Sequence, residues 1–230
     1  MAPEVDLRVR RYDVALDVNV MGVKHICQLA KQCPNLEVVL HVSTGKGMFE
    51  CRDSITTVLI CRRSIEEKKL KLQSAMAAYV VGEKQGVILE RAFKQGETLR
   101  ETEAELDIHA ELRLARDYQR QVAGDDAEQK NERKAMKELG LARAREFGWP
   151  NTYVFTKALG EMMLARELGA VGGVPGVIVR PSIITSIQKE PLPGWVEGTR
   201  TIDAILIGYA KQSLSCFLAD LQLTMDVVGN

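Results

Sequence analysis

Residues 148–157 read Gly-Trp-Pro-Asn-Thr-Tyr-Val-Phe-Thr-Lys and begin a segment with helical apolar spacing, which we expect to span Thr152 to Leu168. On a helix, Tyr153 and Lys157 are four residues apart and share one face. A cation beside a phenol makes that phenol easier to ionise, so the pair is typical of enzymes that transfer a proton to a carbonyl oxygen. The same spacing also occurs in helices with a buried tyrosine and a solvated lysine, so other segments must decide.

Two apolar runs that end in hydroxyl residues favour a parallel sheet. Leu36 to Ser43 and Val177 to Arg180 are rich in β-branched residues and leucine, as strands buried on both faces are. Ligands of such sheets bind beyond the carboxyl ends of the strands, where Ser43, Thr44 and Ser182 fall. These hydroxyl groups also suit the alternative role of capping the segment that follows.

Together these segments resemble the extended short-chain dehydrogenase/reductases, and specifically the alcohol-forming fatty acyl-CoA reductases of plants. The resemblance rests on Trp-Pro-Asn-Thr-Tyr at 149–153 and Pro-Gly-Trp at 193–195, with further matches at 11–16, 19–22, 41–44, 79–84, 180–186 and 217–220. It implies an α/β fold in one domain over residues 1–230, with a partial doubly wound parallel sheet of the Rossmann-like type.

The resemblance also implies a role for each matching residue. Tyr153 is expected to protonate the substrate oxygen, and Lys157 to make that tyrosine easier to ionise and to bind the nicotinamide ribose. Thr44, with Ser43 beside it, is expected to polarise the substrate carbonyl. The other expected cofactor-binding residues are Asn19, for which a helix-bending structural role is the alternative, and the backbone of Arg180, Pro181 and Ser182.

The implied reaction is reduction of a long-chain fatty acyl-CoA to a primary alcohol through an aldehyde, with NADPH as cofactor and no metal ion. The implied location is the endoplasmic reticulum or the plastid. A formal net charge of zero provides no basic excess for a nucleic-acid partner. No apolar run has the length of a membrane span, which leaves peripheral membrane association and oligomeric state open. The five cysteines form no disulfide framework, so we expect reduced thiols.

Both ends of the chain depart from the family pattern. Members begin with a strand and a glycine-rich turn that binds the cofactor pyrophosphate at a helix N-terminus. Residues 1–10 are too few for such a unit, so we expect the first four strands and the phosphate site to be absent. Gly169 to Gly176 follows a helix and precedes a strand, which favours a connector with Gly169 ending the helix. Beyond residue 220 we expect the family's substrate-binding portion to be absent as well.

A block from about residue 45 to residue 77 has no counterpart in the family. It resembles a retained intron, and a lid over the acyl channel is the functional alternative. Cys51 and Cys61 lack the spacing of metal ligands, and Ile65 to Leu72 favours a helix. Because the block follows Thr44 directly, it threatens the geometry of the expected carbonyl donor.

The remaining elements follow from local patterns. We expect a helix from Tyr12 to Gln32 and another from about Arg200 to Ala210, with a strand over Ser213 to Leu218. The charged region 101–147 favours two helices, broken near residue 125, that each bury one stripe and otherwise face solvent; direct acyl binding is the alternative. So few strands would leave an apolar strand edge unpaired, so we expect poor stability and aggregation without a partner.

Three functions stay open on the sequence alone. The first is an alcohol-forming fatty acyl-CoA reductase. The second is another extended short-chain dehydrogenase/reductase, such as a sugar-nucleotide epimerase, which Pro-Gly-Trp at 193–195 disfavours. The third is a non-catalytic truncated paralogue or binding subunit, which the missing phosphate-binding turn favours.

Overall fold

The computed structural model describes residues 11–43, 57–61, 91–123, 129–169, 174–180, 183–184, 186–189, 192–195, 201–216 and 227–228. In chain order, its elements are α1 (Tyr12–Leu16), a π-helical turn called π1 (Asp17–Met21), α2 (Gly22–Ala30), β1 (Leu36–Val42), β2 (Thr57–Cys61), α3 (Ile108–Val122), α4 (Gln129–Glu146), α5 (Thr152–Gly169), β3 (Gly176–Val179), β4 (Ile183–Ile184), α6 (Thr201–Ala210) and β5 (Val227–Val228). The expected helix from Tyr12 to Gln32 is therefore present, but it contains a wider turn at its centre.

The main sheet has the strand order β2-β1-β3. β1 and β3 are parallel, with Leu40 opposite Val177 and Val42 opposite Val179. The Ser43 N–H donates to the Val179 carbonyl at 2.7 Å and extends this ladder by one residue. The predicted parallel αβ unit is thus confirmed, and β4 pairs with β5 in a second parallel pair.

β2 lies inside the block 45–77, for which the sequence analysis predicted no strand. It pairs antiparallel with β1 along the edge opposite β3, so β1 has a neighbour on both sides. The predicted open edge therefore does not fall on β1; among the described residues, the outer strands of this sheet are β2 and β3. The run Thr-Val-Leu-Ile-Cys at 57–61 has the β-branched composition of a strand, which was the available signal. The helix predicted for 65–72 lies outside the described residues.

The start of α5 is fixed by a cap and by aromatic packing. Asn151 Oδ1 accepts a hydrogen bond from the Val154 N–H at 3.0 Å, which satisfies one of the free donors of the first turn. Phe155 is fully buried, and its ring centroid lies 5.2 Å from that of Trp149 and 5.6 Å from that of Phe147. The Trp-Pro-Asn-Thr-Tyr motif therefore anchors α5 in the core.

Gly148 turns the chain from α4 into this motif. Its φ of +93° belongs to the left-handed region that side chains disfavour. A Cβ at this position would also lie 2.8 Å from the backbone nitrogen of Arg100. Both observations explain why glycine precedes Trp149.

The two helices predicted in the charged region are confirmed as α3 and α4. Leu112 and Met136 belong to their buried stripes. Unexpectedly, Glu111 is buried as well: its carboxylate accepts from the Tyr12 hydroxyl at 2.6 Å and forms a two-point ion pair with Arg143. Burial first, and then the Glu111 charge, hold the pKa of Tyr12 well above its ordinary value. This cluster joins α1, α3 and α4 through charged hydrogen bonds.

The chain beyond α6 does not form the strand predicted for 213–218 over its described part, residues 213–216. The N–H groups of Ser213 and Leu214 both donate to the Gly208 carbonyl at 3.0 Å and close a turn instead. By contrast, the helix end predicted at Gly169 is confirmed, since α5 ends there. None of the helices within the described ranges is both long and apolar enough to cross a membrane.

Candidate active site

Tyr153 and Lys157 lie on a helix that is almost entirely inside the protein. From Thr152 to Leu164, every residue of α5 is buried except Tyr153, which is partly exposed. Lys157 is 6% exposed. Tyr153 therefore stands where the core meets solvent, with an ammonium one helical turn away inside the protein.

The carboxyl end of β1 carries a row of buried side chains. Val39, His41 and Ser43 alternate along the strand and share one face, and all three are buried. Burial first, and then the charge of Lys157, lower the pKa of His41 to about 3. The Lys157 ammonium is therefore near enough to His41 for its charge to act on the imidazole, and α5 packs against the neighbouring strand β3.

The Ser43 hydroxyl lies at this strand end and could donate a hydrogen bond to a ligand. Ser43 is 5% exposed, and its Oγ has no hydrogen-bond partner among the described residues. A buried polar group left unpaired costs about 1–3 kcal/mol. A carbonyl oxygen of a bound molecule at this strand end would accept from the hydroxyl and remove that cost, so the site fits a carbonyl ligand.

Asn19 is held by α5. Its Nδ2 donates to Thr156 Oγ1 at 2.9 Å, and both residues are buried. The side chain therefore joins π1 to α5, a contact that the sequence analysis did not predict. The predicted contact of Asn19 with the cofactor stays a prediction, as does the helix-bending alternative.

The Arg180 side chain is committed to the core. Its Nε donates to Glu161 Oε1 at 2.9 Å, and one terminal nitrogen donates to Oε2 at 2.5 Å and to the Arg91 carbonyl at 3.1 Å. The guanidinium also lies 5.5 Å from the centre of the Phe93 ring. Only its backbone stays available for the predicted nicotinamide contact. The other predicted site residues, Thr44, Pro181 and Ser182, lie outside the described residues.

Sequence reasoning assigned no role to three residues that build this site. His41 stands two residues before Ser43, and strand alternation was sufficient to place it on the same face. Thr156 and Glu161 occupy buried positions of α5, where their partners come from distant segments. Only the polar character of these residues inside an apolar helix hinted at a pairing.

The buried His41 predicts a specific dependence of stability on pH. The unfolded chain binds a proton near the ordinary pKa of 6.5, whereas folded His41 binds one only near pH 3. Between these values the unfolded state holds the extra proton, so folding stability falls as the pH is lowered, by about 1.4 kcal/mol per unit. Urea unfolding between about pH 7.5 and pH 5 is expected to show a shallower decline for His41→Gln than for wild type.

The exposed His25 provides the matched control for this measurement. His25→Gln is expected to follow the wild-type pH dependence, because this side chain is exposed on α2 and the change leaves the buried His41 in place. If the free energy of unfolding fell equally with decreasing pH in wild type and in His41→Gln, the placement of His41 in the core would be contradicted.

Comparison with known proteins connects this geometry to a family. The family model described as Male sterility protein, an NAD-binding family, matches residues 2–230. The chain belongs to this family. Its dinucleotide-binding character agrees with the predicted nicotinamide cofactor and with the Rossmann-like fold.

The chain is similar to plant fatty acyl-CoA reductases. It is 39% identical over 220 residues to the alcohol-forming fatty acyl-CoA reductase of Simmondsia chinensis, covering 96% of this chain and 37% of that protein. It is 37% identical over 218 residues to fatty acyl-CoA reductase 1 of Arabidopsis thaliana, covering 95% and 36%. For the chloroplastic fatty acyl-CoA reductase 2 of the same plant, the identity is 38% over 224 residues, covering 95% and 30%. The chain thus spans about a third of the length of these relatives.

Proposed function

We propose that this chain carries the carbonyl-reducing site of an alcohol-forming, NADPH-dependent fatty acyl-CoA reductase. One observation carries the proposal: a partly exposed Tyr153 and a buried Lys157 share a face of α5, and the Lys157 charge acts on His41, two residues before Ser43, whose hydroxyl has no hydrogen-bond partner among the described residues. The names of the similar plant proteins support the substrate class and the alcohol product.

Each of the three groups has a distinct task in this proposal. Ser43, at the position next to the predicted Thr44, donates a hydrogen bond to the substrate carbonyl oxygen, where negative charge develops. A donor placed in this way contributes about 3–4 kcal/mol to transition-state stabilisation. Tyr153 gives its proton to the same oxygen, and Lys157 stabilises the phenolate that is left.

The reduced nicotinamide, when bound, supplies the hydride for each reduction. Lys157 is the residue we propose to hold its ribose, with the backbone of Arg180 beside the nicotinamide. The overall balance is one acyl-CoA, two NADPH and two protons giving one primary alcohol, one CoA thiol and two NADP+. Because aldehyde and thioester share the reacting carbonyl, one set of groups serves both reductions.

Incubation of the purified chain with a long-chain acyl-CoA tests the proposal. With NADPH we expect fatty alcohol, measured by gas chromatography with mass spectrometry, and two NADPH oxidised for each alcohol formed. A parallel reaction with NADH tests the choice of cofactor. The proposal fails if neither aldehyde nor alcohol forms while a screen of sugar nucleotides gives turnover, or if NADPH does not bind in a direct titration.

A further inference from the structure

The contact between π1 and α5 depends on two residues that lie beside the Tyr153–Lys157 pair. Thr156 Oγ1 accepts from Asn19 Nδ2 at 2.9 Å and lies 3.0 Å from the Thr152 carbonyl and 3.1 Å from the Tyr153 carbonyl. The Thr156 hydroxyl has one proton, which the two carbonyl oxygens share, while its oxygen accepts from the Asn19 amide. Thr156 thus links the Asn19 side chain to the backbone that carries Tyr153.

Gly160 completes this contact one turn further along α5. A Cβ built on Gly160 would lie 2.3 Å from the carbonyl oxygen of Asn19, a backbone atom that cannot rotate away. The absence of a side chain therefore lets π1 pack directly on the backbone of α5. Thr156 and Gly160 are four residues apart and form one face of the helix.

The position of this contact in the chain gives it a consequence for the site. π1 continues into α2, and five residues separate the end of α2 from β1, which leads to Ser43. A shift of α5 along π1 would therefore move Tyr153 and Lys157 relative to the Ser43 hydroxyl. π-helical turns inside α-helices occur frequently at functional sites, and this one packs against α5 through Asn19.

We propose that Thr156 is a positioning residue, which with Gly160 holds Asn19 of π1 on α5 and so sets where Tyr153 and Lys157 stand relative to Ser43. The effect on catalysis rests on the proposed function. The attachment of π1 to α5 through one hydroxyl, which we call the mechanical part, is independent of the proposed function.

Thr156→Val and Thr156→Ser separate the hydroxyl from the rest of the side chain. Valine keeps the shape and loses the hydrogen bond, whereas serine keeps the hydroxyl. We expect Thr156→Val to lower kcat for acyl-CoA reduction about tenfold or more, with KM changed less than about threefold, since a misplacement near 1 Å costs about a hundredfold. Thr156→Ser is expected to recover kcat to within about threefold of wild type.

Met163→Leu is the control for simple loss of packing. Met163 is fully buried on α5 two turns beyond Thr156, and this substitution nearly conserves volume. We expect its kcat to stay within about twofold of wild type. Equal losses of kcat in Thr156→Val and Met163→Leu, or an equal loss in Thr156→Ser, would overturn the proposal.

Gly160→Ala tests the close approach of the two backbones. Alanine is the better helix former, so α5 alone would gain stability from the change. The close contact with the Asn19 carbonyl predicts a loss of stability instead. We therefore expect Tm to fall by about 5 °C or more. A rise in Tm would overturn the packing part of the proposal.

Hydrogen–deuterium exchange decides the mechanical part without any assay of activity. In Thr156→Val, peptides covering 17–21 and 152–157 are expected to exchange about threefold faster or more, whereas Thr156→Ser is expected to match wild type. If the wild-type chain reduces no acyl-CoA, the proposed function fails while faster exchange still supports the attachment of π1 to α5. Unchanged exchange in Thr156→Val overturns the proposal whatever the activity.

Discussion

Tyr153→Phe is expected to lower kcat for acyl-CoA reduction by about 10²–10⁴-fold, the usual contribution of a positioned general acid. This corresponds to about 3–5 kcal/mol of transition-state stabilisation. The phenol contributes its proton only as the carbonyl is reduced, so KM should change little. Because Tyr153 is partly exposed, loss of its hydroxyl should also leave Tm close to that of wild type.

Tyr209→Phe is the matched control, because Tyr209 on α6 is 66% exposed. The same atom is removed from a tyrosine for which we propose no contact with the reaction, and kcat should stay within about twofold of wild type. A Tyr153→Phe variant that retained more than about half of the wild-type kcat would remove Tyr153 from the mechanism. A variant with unchanged kcat and a raised KM would instead give Tyr153 a role in binding.

The sequence predicted the elements whose signals are local. The apolar helical spacing after residue 151 predicted α5, and the buried run at 36–43 predicted β1, because each signal lies within the element it specifies. The break between α3 and α4 was predictable for the same reason. Gly169 was recognisable as a helix end because glycine is favoured there.

What escaped prediction depends on pairs that are distant in the chain. Tyr12 bonds to a carboxylate 99 residues away, and Asn19 bonds to Thr156 across 137 residues. No local periodicity reports such pairs, although both place polar groups inside an apolar face. Similarly, π1 differs from its flanking helices in hydrogen-bond spacing rather than in composition. Residues 17–21 therefore carry no recognisable sequence signal for a π-helical turn.

Strand prediction failed in two opposite ways. The segment 57–61 lies in a block without a family counterpart, but its composition is typical of a strand and it pairs with β1. Residues 213–216 were expected to be extended, but the Gly208 carbonyl accepts the N–H groups of Ser213 and Leu214 in a turn. In both cases the local sequence is compatible with more than one conformation. Hydrogen bonds to another strand or within a turn then determine which conformation forms.

The ion pair between Arg180 and Glu161 predicts the largest effect on stability. Its side chains are 3% and 0% exposed, so neither charge can be solvated if the other is removed. Arg180→Met or Glu161→Gln alone is expected to lower the free energy of unfolding by about 3–5 kcal/mol, because each leaves a buried charge without its partner. The exposed Asp117–Arg120 pair is the control, and Asp117→Asn should cost less than about 1 kcal/mol.

The double variant Arg180→Met/Glu161→Leu separates a structural role of Arg180 from a role in cofactor binding. Replacing both charges by apolar side chains of similar size removes the unpaired charge, so it should cost clearly less than the sum of the single changes in urea unfolding. Additive losses would contradict the ion pair between Arg180, which follows β3, and Glu161 of α5. We assign only the Arg180 backbone to the nicotinamide. The double variant, if stably folded, should therefore bind NADPH with wild-type affinity in a direct titration. A stable double variant that no longer bound NADPH would instead show that the guanidinium itself reaches the cofactor, which requires it to leave Glu161.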